Sequence, residues 1–290
     1  MQITATTRLV TLLGFPVEHS LSPAIHNPAF ESQGVDAAYV ATPVRREDLA
    51  DAVAGLRAMH FLGANVTIPH KQAVLPLLDD VTDTAKAIGA VNTITCVRQG
   101  EDEPLRLRGD NTDVAGFLMP LADHADRLEG AGAVVLGAGG AARAVVYGLL
   151  DRFDLDRLTI AARRPEQAET LASEFLSHAT GTTLTATALA KAPVRASRLV
   201  VNATPVGMHP DTDTTPWQTT GDFSAGQIVY DLVYNPRETR LLREASGRGA
   251  ETIGGLDMLI GQAADAFRQW TGHDLPSTHV RHQLSLPDPG

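Results

Sequence analysis

AVVLGAGGAAR, residues 133–143, decides how the 290-residue chain is read. Four apolar residues, 133–136, have the texture of a buried strand and run straight into a glycine cluster. Gly137, Gly139 and Ala142 fit the pattern G-x-G-x-x-A, and residues 141–153 then read as a helix. The first glycine permits a tight turn. The second leaves out a side chain, so a diphosphate can approach the backbone. The small third residue lets helix and strand pack closely, and the helix N-terminus supplies free N–H groups and a partial positive charge. A strand, this turn and a helix in succession predict a dinucleotide site on a parallel α/β sheet. The bland alternative is a glycine-rich turn without a ligand.

Working outward, residues 158–162 form the next strand and residues 165–177 a helix with proline in its first turn. A site for NAD usually carries Asp or Glu at the end of this second strand, to accept from the ribose 2′-hydroxyl. Ala161, Ala162, Arg163 and Arg164 stand there instead. Two guanidinium groups suit a 2′-phosphate, which predicts NADP; the alternative is a pair of solvated surface arginines. Strands at 199–203 and 228–232 continue the alternation. Between them NATPVGM, residues 202–208, leaves a strand at its carboxyl end, where open α/β sheets bind ligands. Asn202 or Thr204 could equally cap the turn. Residues 209–221 read as a polar surface excursion, and 258–270 as the last long helix.

The first half alternates in the same way. Strands are expected at 8–14, 38–42, 63–68 and 90–97, the last pairing antiparallel with 105–108 around a polar loop at 99–103. Helices are expected at 22–33, stopped by Gly34, and at 46–59 and 71–78. The fold class is therefore α/β: an N-terminal α/β domain followed by a Rossmann-type domain, with C-terminal helices after it. The length fits two domains.

A formal net charge of -10 argues against a general nucleic-acid binder, though not against a local basic pocket for a small anion. The single cysteine, Cys96, excludes an internal disulfide and reads as a buried thiol in a strand. No apolar stretch is long enough to span a membrane, and the N-terminus lacks the long apolar core of a signal peptide. A cytoplasmic protein is the expectation.

Polar residues collect at three predicted strand ends of the first half. Ser20 and Ser22 precede a helix, where Ser22 reads as N-cap with Pro23 at N1, leaving Ser20 without a role. GANVTIPHK, residues 63–71, carries Asn65, Thr67 and Lys71 at the end of an apolar strand; Pro69, lacking an N–H, should end the ladder. GAVNT, residues 89–93, brings Asn92, and GDNTD, residues 109–113, brings Asp113. Hydroxyls, amides, one cation and one carboxylate together suit a polyhydroxylated acid. Serines bind the carboxylate, Asn and Asp the ring hydroxyls, and Lys71 and Asp113 handle protons at the carbon that changes oxidation state. Taken singly, Lys71 reads as a neutral surface lysine and Asp113 as an acid in a helix first turn.

Together, HSLSPAIHN (19–27), GANVTIPHK, GAVNT, GDNTD, GAGGAAR, NATPVGM, DLVYNP (231–236) and GGLDMLIGQAA (254–264) resemble the shikimate dehydrogenase family, in the family's order. The resemblance implies a substrate domain at 1–112 with 255–290 packing back onto it, a Rossmann domain at 113–254, and a cleft between them. It implies Ser20 and Ser22 on the substrate carboxylate, with Tyr234 near it, and Thr67, Asn92 and Gln262 on hydroxyls or orienting the ring. Lys71 and Asp113 match the catalytic pair. Gly137, Ala138, Gly139, Gly140 and Ala141 match the phosphate loop and Arg163 the 2′-phosphate recognition residue; Arg164, Thr204, Met208 and Gly255 count as further cofactor contacts.

The activity so implied is reversible NADPH-dependent reduction of 3-dehydroshikimate to shikimate, in aromatic amino-acid (chorismate) biosynthesis, by a monomer or homodimer that needs no metal. Two positions depart from the family's pattern. Asn-Arg-Ser/Thr at the second strand reads Ala162, Arg163, Arg164 here, and a later basic residue is Gln167. The alternatives are a quinate or quinate/shikimate dehydrogenase using NAD or NADP, and a binding module that keeps the fold without the chemistry.

Overall fold

A computed structural model describes residues 2–98, 100 and 103–284. Most of the loop expected at 99–103, and the chain end at 287–290, lie outside the described residues. The chain divides into two compact units, Met1–Thr112 with Ile260–Gly290, and Asp113–Leu259.

The first unit is built on β1 (Arg8–Gly14), α1 (Ser22–Ser32), β2 (Ala37–Pro43), α2 (Leu49–Ala58), β3 (Gly63–Val66), β4 (Asp80–Val81), α3 (Asp83–Ile88), β5 (Thr93–Val97) and β6 (Arg106–Asp110). They form a six-stranded sheet in the order β2-β1-β3-β5-β6-β4. β1 pairs parallel with β2 and β3, and β5 runs antiparallel to both β3 and β6. Apolar residues of β1, β3, β5 and β6, among them Leu13, Val66, Ile94 and Leu107, pack with Val53 and Leu56 of α2. Cys96 is buried in β5, and burial pushes its thiol up to about 12.

Three local expectations are corrected. The residues expected as a helix at 71–78 contain only a single 3₁₀ turn, Leu75–Leu77, with Pro76 inside it. β3 stops at Val66; Ile68 is 65% exposed and outside the core. Pairing nonetheless continues beyond the strand, through Thr67 N–H to Leu13 O and Phe15 N–H to Ile68 O. Ser22 is the first residue of α1 rather than its N-cap; Leu21 takes the cap position without a side-chain bond.

The second unit contains α4 (Asp113–Leu118), α5 (Ala125–Leu128), β7 (Gly132–Leu136), α6 (Gly140–Arg152), β8 (Arg157–Ala162), α7 (Pro165–Phe175), β9 (Thr183–Ala188), β10 (Leu199–Asn202), β11 (Ile228–Asp231), α8 (Arg240–Ser246) and β12 (Glu251–Ile253). Its sheet is parallel throughout, in the order β12-β11-β10-β7-β8-β9. β10 and β11 are buried at every residue, as a sheet covered on both faces requires. The order reverses between β7 and β10, so the loops after Leu136 and Asn202 leave the sheet side by side at the switch point. The loop expected to be a surface excursion is partly core: Trp217 is 8% exposed and packs with Leu241 and Val229.

α9 (Gly255–Thr271) gives residues 255–259 to the second unit and 260–271 to the first, followed by α10 (Ser277–Leu284), which packs on α1. Within the first unit Trp270 donates its indole N–H to Ile94 O at 3.0 Å. Gly63 makes room for that ring: a Cβ there would lie 2.3 Å from Trp270 Nε1 and 2.5 Å from Ile94 O.

Candidate active site

In the second unit the turn after β7 is shaped by two different glycines. Gly137 has φ +119°, and a Cβ there would stand 3.0 Å from both Ala203 O and Thr204 Cγ2. Gly139 precedes α6 in extended backbone, and a Cβ there would meet nothing within 4 Å. One glycine therefore answers to the protein and the other leaves open space before the first N–H groups of a 13-residue helix. Ala142 is fully buried against the sheet. Ala138, Gly140 and Ala141 are half-buried. Open space and free donors at a helix N-terminus fit a diphosphate.

The neighbouring loop is held from below. Asn202 Oδ1 accepts from Thr204 N–H at 3.0 Å and Thr204 Oγ1–H at 2.6 Å. Asn202 Nδ2 donates to Asp231 Oδ1 at 2.8 Å, and Thr239 Oγ1–H donates to Asp231 Oδ2 at 2.6 Å. Burial raises the Asp231 carboxyl to about 6 despite these donors and a third from Val233 N–H. Asn202 is thus the turn cap, and it holds Thr204 against Gly137. Met208 follows the turn, 41% exposed. Arg163 and Arg164 are both exposed immediately after β8, at the carboxyl end of the strand that follows the glycine turn. Gly255 begins α9 and is buried; a Cβ would lie 2.2 Å from Leu232 O, so close packing already requires glycine there. Tyr234 is half-buried, which raises its phenol, and Asp113 starts α4 at 6% exposure.

In the first unit Ser20 and Ser22 meet directly. Ser20 Oγ accepts from Ser22 N–H at 3.2 Å and donates to Ser22 Oγ at 3.2 Å. Ser20 thereby gains the role that the sequence left open, as acceptor for an N–H of the first turn of α1. Thr67 is half-buried at the end of β3. His70 is fully buried and lies 2.7 Å from Val44 O through Nε2, so that nitrogen carries the proton and donates. Lys71 is half-buried, and its carbonyl accepts from Val91 N–H at 2.7 Å. That bond ties the lysine to the segment carrying Asn92. Asn92 is 3% exposed; its Oδ1 accepts from Thr112 N–H at 2.7 Å and its Nδ2 donates to Thr112 Oγ1 at 3.0 Å. Gln262 is 8% exposed on α9.

Known proteins match this chain over nearly its whole length. Residues 12–94 match the shikimate dehydrogenase substrate binding domain, residues 255–284 the shikimate 5′-dehydrogenase C-terminal domain, and residues 133–212 the saccharopine dehydrogenase NADP binding domain. The curated shikimate dehydrogenase (NADP(+)) of Salinibacter ruber is 62% identical over 98% of this chain and 99% of its own. The chain belongs to the shikimate dehydrogenase family.

Two solved structures are similar to this chain. The crystal structure of shikimate 5-dehydrogenase from Thermus thermophilus in complex with NADP(H) and shikimate is 40% identical, with a TM-score of 0.82 over 96% of this chain and 98% of that one. Quinate dehydrogenase from Corynebacterium glutamicum, in complex with NAD, is 33% identical, with a TM-score of 0.85 over 97% and 99%. The turn Gly137–Ala141 and the loop Asn202–Met208 both sit at the switch point of the second sheet.

Each unit gathers its own share of the expected residues. Ser20, Ser22, Thr67, Lys71, Asn92 and Gln262 belong to the first, and Asp113, the glycine turn, Arg163, Arg164, Thr204, Met208, Tyr234 and Gly255 to the second. One residue of the first unit went unread in the sequence, Tyr39, and its partner Asn65, named there with Thr67 and Lys71, was assigned no individual role. Tyr39 lies in β2 among apolar neighbours and looks like core, while Asn65 faces inward from a strand buried at every residue. The buried amide was the available signal, since such a group is kept inside only with partners.

Proposed function

We infer that this protein catalyses the reversible NADPH-dependent reduction of 3-dehydroshikimate to shikimate, in aromatic amino-acid biosynthesis. What carries the reading is 62% identity along essentially the whole chain to a curated shikimate dehydrogenase (NADP(+)). The open backbone before α6 and the two arginines after β8 support NADP as cofactor.

In this reading Ser20 and Ser22 hold the substrate carboxylate, with Tyr234 beside it. Thr67, Asn92 and Gln262 hold hydroxyls and orient the ring, which removes much of the entropic barrier. When bound, the cofactor supplies the hydride. The Lys71 ammonium stabilises the negative charge that grows on the carbonyl oxygen and delivers the proton to it, and the Asp113 carboxylate is the partner of Lys71. Arg163 and Arg164 take the 2′-phosphate; Gly137–Ala141 take the diphosphate; Thr204, Met208 and Gly255 line the rest of the cofactor site. Residues 1–112 with 255–290 act as the substrate domain and 113–254 as the NADP domain, in a monomer or homodimer.

The test is one coupled assay of shikimate and quinate with NADP⁺ and NAD⁺ in all four pairings. The expected result is the highest kcat/KM for shikimate with NADP⁺. A preference for quinate, or for NAD⁺, would replace the reading with quinate dehydrogenation. Binding of shikimate without cofactor reduction would leave a non-catalytic binding module.

A further inference from the structure

Asp231 ends β11 with a side chain that is completely buried. A carboxylate kept inside needs partners for its oxygens, and here each oxygen serves a different part of the unit. Oδ2 accepts from Thr239 Oγ1–H at 2.6 Å, and Thr239 in turn accepts from Leu242 N–H at 3.3 Å as the N-cap of α8. Oδ1 accepts from two donors. Asn202 Nδ2, at 2.8 Å, stands where the loop after β10 begins; Val233 N–H, at 3.0 Å, belongs to the loop after β11. A single oxygen atom is therefore the shared acceptor of both loops.

Both loops run on into residues assigned to ligands. From Asn202 the hold passes to Thr204 through Oδ1 and to Val206 O through Nδ2, the latter at 3.3 Å. From Val233 it passes along the chain to Tyr234, which is bracketed by backbone bonds. Val233 O accepts from Gly255 N–H at 3.3 Å on one side of the tyrosine. On the other, Asn235 O accepts at 3.0 Å from the N–H of His209, the residue after Met208. Leu232 N–H adds a bond to Asn202 O at 3.0 Å. The loops are thus laced to each other, and Asp231 Oδ1 is the tie that lies in the sheet beneath both.

We propose that Asp231 is a positioning residue for both ligands: its Oδ1 sets the loop that carries Thr204 and Met208 in register with the loop that carries Tyr234, so cofactor contacts and a substrate contact are placed by one buried atom. This rests on the functional reading, which gives Thr204 and Met208 to NADP and Tyr234 to the substrate carboxylate. What the loops need at this point is an acceptor, not a charge. An amide at 231 keeps an oxygen for Asn202 and Val233, and its nitrogen donates to Thr239 Oγ1, since a hydroxyl accepts as well as donates. A methyl at 231 keeps neither loop bond.

Asp231→Ala, Asp231→Asn and Thr239→Val together test this. Asp231→Ala should raise the KM for NADP⁺ and the KM for shikimate at least about threefold each, the scale of one hydrogen bond, with kcat within about threefold. Asp231→Asn should bring both KM values back to within about twofold of wild type. Thr239→Val removes the donor to Oδ2 and the cap of α8, so it should lower Tm and leave both KM values unchanged. Unchanged KM values in Asp231→Ala overturn the proposal, and so does a rise in only one of them. Asp231→Asn matching Asp231→Ala, or Thr239→Val raising both KM values, also overturns it, because charge or general stability would then be the cause. If Asp231→Ala does not fold, hydrogen exchange of the wild-type enzyme decides. Shikimate without cofactor should slow exchange at residues 203–208, which the reading gives to the cofactor; no slowing there overturns the proposal. A wild-type enzyme that does not oxidise shikimate with NADP⁺ would sink the functional reading itself, which is a separate outcome.

Discussion

Asn202 and Asp231 end neighbouring parallel strands as register partners, and the Asn202 amide donates to the Asp231 carboxylate at 2.8 Å. Everything Thr204 contributes near the glycine turn depends on that pair, because Asn202 holds Thr204 by two bonds. The carboxylate is held above its ordinary range, at about 6 against 3.8, chiefly by burial. An acid raised in the folded state binds protons more readily there than in the unfolded chain. Ionising it therefore lowers stability as pH rises from about 4 to about 6. Asp231→Asn does not titrate, so its stability relative to wild type should improve over that window by roughly 2–3 kcal/mol. Urea midpoints of both proteins at pH 4 and pH 6.5 measure this; a constant difference would show that Asp231 is not raised.

His26 predicts the opposite slope. Its ring is fully buried, neither nitrogen has a hydrogen-bond partner among the described residues, and burial lowers it to about 3 from 6.5. The unfolded chain takes up a proton below about pH 6.5 that the folded chain refuses, so stability falls as pH falls towards 3. Between pH 6.5 and 5 the loss should be about 2 kcal/mol, and His26→Phe, which keeps the stack on Tyr39, should remove it. The two titrations oppose each other, so each is read as a variant minus wild type in denaturant titrations.

Gly139→Ala and Gly255→Ala separate ligand space from packing space. A methyl at 139 meets nothing of the protein, so Tm should hold while the KM for NADP⁺ rises at least several-fold through lost approach to the backbone. A methyl at 255 collides with the Leu232 carbonyl, so Tm should fall, by the equivalent of about 1–3 kcal/mol. Thermal melts and NADP⁺ titrations on the same samples decide both.

Lys71→Ala should lower kcat at least about 100-fold with modest change in the KM for shikimate, as expected of a general acid. The lysine's carbonyl, not its side chain, makes the bond to Val91, so the backbone anchor survives the substitution and the protein should melt near wild type. Near-normal turnover would remove Lys71 from the chemistry.

The sequence exposed the second unit well because its strands are apolar along their whole length and its glycine turn has a fixed spacing. β4, β9 and β12 went unread: the first and last have two and three residues, and β9 is a threonine-rich edge strand with no buried run. The expectation of a helix at 71–78 gave weight to leucines whose neighbour Pro76 breaks the pattern. Among candidate site residues, motif spacing disclosed Ser20, Lys71 and the glycines. The tie between Tyr39 and Asn65 could not be found that way, because the two lie on different strands and only the sheet brings them together.

The first unit's sheet is covered at Gly63 by Trp270, a residue that follows the whole second unit in the chain. On the ribosome, residues 113–259 are therefore all made before the indole that completes the amino-terminal unit emerges. The portion synthesised earliest must wait longest for its final shape, with the bare backbone of Gly63 unshielded until Trp270 has been made.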